Sequence, residues 1–124
     1  MASTINIKYK DFAVEFAKRA VTKLGNKIDA ILLYGSVSRG EAKKTSDIDL
    51  LIITNYAHNS VFKDKIYTIA TDFEYENDFS FFLSMVFVTP NELAKQVALR
   101  VPFIENVRED AVRLYGKWLF SKID

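Results

Sequence analysis

Apolar residues recur at helical spacing from residue 9 to residue 24. Phe12, Phe16, Ala20 and Leu24 form one stripe, with Ala13, Ala17 and Val21 beside it. This spacing predicts an amphipathic helix, with Gly25 in the left-handed stop that favours glycine. Residues 28–34 (IDAILLY) form a short apolar run that reads as a buried strand, broken by Gly35 and Ser36. A polar stretch follows to residue 46, with room for one helical turn, and residues 47–54 (DIDLLIIT) read as a second strand. Ser60 is placed to cap a helix whose apolar positions are Phe62, Ile66, Ile69 and Phe73. Residues 79–89 (FSFFLSMVFVT) read as a third strand. At its end, Thr89, Pro90 and Glu92 have the spacing of a capping box with proline at the first helical position. The helix they start is expected to reach Arg100. Beyond Pro102 the pattern fits a short helix over 103–109 and an edge strand over 111–115. The order helix, strand, strand, helix, strand, helix predicts an α/β (α+β) fold, a small sheet with helices packed against it. We expect one domain over residues 1–124, with its core at about 9–115.

Composition narrows the function. The chain of 124 residues is 49% hydrophobic, which excludes a disordered polymer. With no cysteine and a single histidine, His58, disulfides, thiolate metal sites and multi-histidine zinc sites are excluded. Seventeen basic residues against sixteen acidic ones leave a net charge of +1, without the basic excess that stable nucleic-acid binding uses. The first residues, MASTINIKYK, lack an apolar signal core, and no apolar run approaches membrane-spanning length. The expectation is therefore a cytoplasmic protein without a membrane partner.

The chemistry concentrates in residues 35–49, GSVSRGEAKKTSDID. Asp47 and Asp49 alternate along a predicted strand and so share one face, while Ile48, Leu50 and Ile52 take the other. Two carboxylates held together repel unless a cation lies between them. Hard divalent ions such as Mg²⁺ or Mn²⁺ take oxygen ligands of this kind and often add substrate phosphates. Gly35 allows a tight turn with close backbone approach, and the Ser36 hydroxyl with nearby amides can hold phosphate oxygens. Arg39 is a candidate for phosphate or a partner, and equally for solvent; Lys43 and Lys44 read as solubilising.

Gly35-Ser36, ten intervening residues and then Asp47-Ile48-Asp49 resemble the signature of the DNA polymerase β-like nucleotidyltransferase superfamily. The stretch YGSVSRGEAKKTSDIDLLII and the tail PFIENVREDAVRLYG are most similar to its smallest members, the minimal nucleotidyltransferases. The resemblance implies the small mixed sheet of that superfamily. It also implies transfer of a nucleoside monophosphate, AMP from ATP, to an acceptor hydroxyl, with Asp47 and Asp49 catalytic and metal-binding and Gly35 and Ser36 on the nucleotide, beside the residue-level candidate Arg39. For the minimal group it implies a HEPN-type toxin as partner and a partner tyrosine as acceptor, with a homo-oligomer also open.

The same resemblance calls for a third carboxylate on the strand after the intervening helix. Alignment on residues 81–89 puts Ser84 there. Asp78 and Glu76 are the upstream alternatives, since a one-residue slip reverses every side chain. Without that acid, an antitoxin that acts by binding its partner is the alternative to an enzyme, and a nucleotide sensor is a third reading. His58 reads as a surface residue, and Glu74, Glu76 and Asp78 as an acidic cluster at a helix end. Phe79, Phe81 and Phe82 are core candidates of which one face would be exposed. Trp118, Leu119 and Phe120 are open between packing on the sheet and binding another chain.

Overall fold

A computed structural model describes residues 4–43 and 47–120. Its elements are α1 (Thr4–Leu24), a 3-10 turn (Gly25–Lys27), β1 (Ala30–Tyr34), α2 (Gly35–Ser38), β2 (Ile48–Ile53), α3 (Ser60–Glu76), β3 (Leu83–Val88), α4 (Pro90–Ala98), α5 (Pro102–Asp110) and β4 (Val112–Gly116). The strands form one sheet in the order β3-β2-β1-β4. β1 is antiparallel to both β2 and β4, and β2 is parallel to β3, as its helical crossover through α3 requires.

Both faces of the sheet are covered, which is why β1 and β2 read as continuous apolar runs. Ile31, Leu33, Ile48, Leu50 and Ile52 pack with Phe16, Ala20, Ile66 and Phe73 of α1 and α3. Ala30, Leu32, Leu51, Ile53 and Val88 pack with Leu93 and Val97 of α4 and Ile104 and Val107 of α5. Phe120 is buried in this second cluster, with Trp118 and Leu119 packed against it, so the aromatic tail folds home on the sheet. Among the described residues no helix is long and apolar enough to cross a membrane.

Several expected boundaries shift for local reasons. α1 begins at Thr4 rather than residue 9, because the buried stripe runs on through Asn6, a polar residue that breaks the apolar pattern. Gly25 is not a left-handed stop. It opens the 3-10 turn, whose carbonyl is satisfied by the Ile28 amide at 3.2 Å. The cap of α3 is Asn59, whose side chain accepts the Phe62 amide, rather than Ser60. β3 starts at Leu83 rather than residue 79, because Asp78 and Phe79 both take φ of 54° in the turn after α3. α4 stops at Ala98, since Arg100 has φ of 52°.

The capping box of α4 forms as the spacing predicts. The Thr89 hydroxyl accepts the Glu92 amide at 3.1 Å and the Glu92 carboxylate accepts the Thr89 amide at 2.9 Å. The Thr89 amide, with His58 second, holds Glu92 below its usual pKa. Thr89→Ala is expected to cost about 1 kcal/mol, read as a lower midpoint in urea with an unchanged m-value.

Candidate functional site

The site lies where β1 ends and β2 and β3 begin. Asp49 is paired across the sheet with Tyr34 of β1 on one side and with Ser84 of β3 on the other. Cross-strand partners share a face, so Tyr34, Asp49 and Ser84 form a row on the α4–α5 side. Asp47 stands exposed just before β2.

Gly35 turns the chain out of β1 into the single turn α2 with φ of 79°. A Cβ there would stand 2.4 Å from Asp49 Oδ2. No other residue lets the turn lie this close to the carboxylate. The turn is itself anchored. Asn6 of α1, fully buried, donates through Nδ2 to the Val37 carbonyl at 3.2 Å and accepts the Ala42 amide at 2.9 Å. The Ser38 hydroxyl donates to the Asp110 carbonyl at the end of α5.

The electrostatics follow from this packing. Burial, then the neighbouring Asp47 charge, raise the Asp49 pKa, and Arg39 offsets part of that rise. Burial, then Asp49, push the Tyr34 phenol up to about 12, so it stays protonated. Asp49 is thus a carboxylate whose ionisation is penalised by its surroundings, the condition that a bound cation relieves. A divalent ion with oxygen preference fits Asp47 and Asp49, with water and phosphate as its remaining ligands. Among the described residues no group of three or more acidic or histidine side chains is placed to hold a metal.

Arg39, close enough to act on Asp49, is itself held by two carboxylates. Its guanidinium pairs with Asp110 at 2.6 Å and Glu41 at 3.3 Å, which raise its pKa. Lys44 lies outside the described residues. The structure sets Ser84, not an acid, beside Asp49. Glu76 is turned to Arg19 of α1 at 2.8 Å, and Glu74 accepts the Leu83 amide at 2.8 Å, so both acids have structural partners. Asp78 is exposed in the turn. His58 is exposed and paired with Glu92. A groove between α1 and α3, lined by Lys23, Val61, Asp64, Lys65 and Thr68, includes none of the site residues.

Sequence reasoning overlooked Asn6, Tyr34 and Asp110. Asn6 left a signal. It continues the buried stripe of Tyr9, Ala13 and Phe16 one turn upstream, where a polar residue needs a buried partner. Tyr34 and Asp110 left none, because their roles arise from contacts between elements.

Residues 14–115 match the family model described as a nucleotidyltransferase domain. The chain is 28% identical over 100 residues, 81% of its length and 92% of the relative's, to the "Putative protein adenylyltransferase MJ0141" of Methanocaldococcus jannaschii. Its fold is similar to that of a "putative nucleotidyltransferase" from Sulfolobus solfataricus, with a TM-score of 0.55 and 21% identity over 90% of this chain and 84% of the other. A toxin–antitoxin crystal structure with AMP-PNP gives a TM-score of 0.55 at 17% identity, covering 89% of this chain and 78% of the other.

Proposed function

Since the chain belongs to the nucleotidyltransferase domain family, we propose that it moves AMP from ATP to a hydroxyl of a protein acceptor, a tyrosine of a HEPN-type partner, with Mg²⁺ at Asp47 and Asp49. The observation that carries this reading is the contact of Gly35 with Asp49, which brings a phosphate-holding turn and a metal-holding carboxylate together. The Ser36 hydroxyl and the amides of the turn hold the terminal phosphates. Asp47 and Asp49 hold Mg²⁺, which when bound neutralises charge on the polyphosphate. The acceptor oxygen forms a bond to the α-phosphorus, the bond from that phosphorus to the β-bridging oxygen breaks, and pyrophosphate leaves. The acceptor proton passes to solvent.

A protein acceptor is supported by the surface beside the site. Tyr75, Phe79 and Phe82 are 71%, 48% and 55% exposed. Their rings lie 6.0 and 6.5 Å apart in sequence along the turn that leads into Ser84. A row of exposed rings of this kind is characteristic of a protein contact.

A second reading is favoured by Ser84. A hydroxyl carries no charge and is a poor base for an incoming hydroxyl, which suits an antitoxin that works by forming a complex. Labelled ATP, Mg²⁺ and a HEPN-type toxin as candidate partner separate the two readings. Transfer predicts label on the partner that disappears with Asp47→Ala. A stable, unlabelled complex that survives Asp47→Ala refutes the transfer reading.

A further inference from the structure

The row Tyr34, Asp49, Ser84 is the floor of the site on the α4–α5 side, and one wall of it is aromatic. The rings of Tyr34 and Phe103 of α5 are perpendicular, with centroids 5.6 Å apart and planes at 88°. α5 is held over β1 by Ile104 and Val107, which are buried against Leu32 and Ala30. Phe103, next to Ile104, is nevertheless 39% exposed. Part of this ring is therefore left to water. The base of a nucleotide is joined to its α-phosphorus through a single ribose. A phosphate at Asp49 would thus carry its base about one sugar away, and Phe103 lies one ring beyond Asp49's cross-strand partner. A partly exposed aromatic ring at that place matches the flat apolar surface of a base.

We propose that the partly exposed ring of Phe103, held perpendicular to Tyr34, is the shelf on which the base of the bound nucleoside triphosphate stacks. This rests on the nucleotide reading above and deepens it. It divides the site into a nucleoside side at α5 and an acceptor side at Phe82. A stacking shelf reads the size of the ring system more than its hydrogen-bonding edge, so purines are preferred to pyrimidines.

Calorimetry with MgATP and with magnesium tripolyphosphate, which has the phosphates but no base, tests the shelf. Phe103→Leu keeps apolar packing against Tyr34 but removes the π-face. It is expected to weaken MgATP binding about tenfold or more and to leave tripolyphosphate binding unchanged, while Phe103→Trp retains ATP affinity. Equal weakening of both ligands would mean that Phe103 only supports the fold around the phosphates, and unchanged ATP affinity would overturn the shelf. So would a selective loss in Phe82→Leu with none in Phe103→Leu. If the unaltered protein binds neither ligand at millimolar concentration, the nucleotide reading fails and the shelf falls with it.

Discussion

Asp49→Asn is expected to abolish AMP transfer and to leave the metal-free protein at least as stable as before. The two effects have one cause. Asp49 is partly buried beside Asp47, and both features raise its pKa. A carboxyl whose pKa is higher in the folded state than in the unfolded chain favours folding most below the unfolded value. That advantage is lost as pH rises through the folded value. At neutral pH the ionised Asp49 therefore lowers stability, and a neutral amide of the same shape removes the cost. The amide lacks the charge that holds a divalent ion, and loss of that ion's several kcal/mol lowers transfer by about a thousandfold or more. Thermal melts at pH 7 without metal, alongside label transfer with Mg²⁺, give both readouts. A large fall in melting temperature would show that Asp49 is structural. In the unaltered protein, millimolar Mg²⁺ should raise the melting temperature at pH 7 and lose that effect towards pH 4 as Asp49 takes up a proton. This trade of stability for a charged site is common at functional positions.

Gly35→Ala is the second large effect, and here stability and activity should fall together. The position has φ of 79°, which L-residues adopt at a cost of about 1–2 kcal/mol. The added Cβ would also meet Asp49 Oδ2 at 2.4 Å. Because that neighbour is a side-chain tip, the carboxylate can swing aside, but it then leaves the place where it would share a cation with Asp47. We expect a melting temperature lower by several degrees and MgATP binding below detection by calorimetry. Retained binding with only the stability loss would show that the turn and the carboxylate act independently.

The elements that could be read from the sequence are those whose cause is local or periodic. The stripe of Phe12, Phe16 and Ala20 and the runs in β1 and β2 follow from which positions must be dry. The α4 cap follows from three residues in one turn. The pairing of Gly35-Ser36 with Asp47-Ile48-Asp49 was visible because these residues sit at the ends of two adjacent predicted strands, so local sequence and spatial proximity agree. The start of α1 was missed because burial of Asn6 depends on α2 and the segment after it, 31 to 36 residues away. The start of β3 was missed because positive φ at Asp78 and Phe79 overrides an apolar pattern.

What the sequence determined by itself was most of the elements, the two acids at the start of the second strand and the glycine–serine turn that precedes them, since helix and strand periodicity and backbone permissiveness belong to short segments. What only the tertiary structure decided was which groups surround those acids. Tyr34 and Ser84 flank Asp49, Arg39 pairs with Asp110, and Phe103 leans on Tyr34. Each of these is a contact between strands or helices far apart in the chain. The register and packing that create them come from burying both faces of the sheet at once, a condition that no single segment contains.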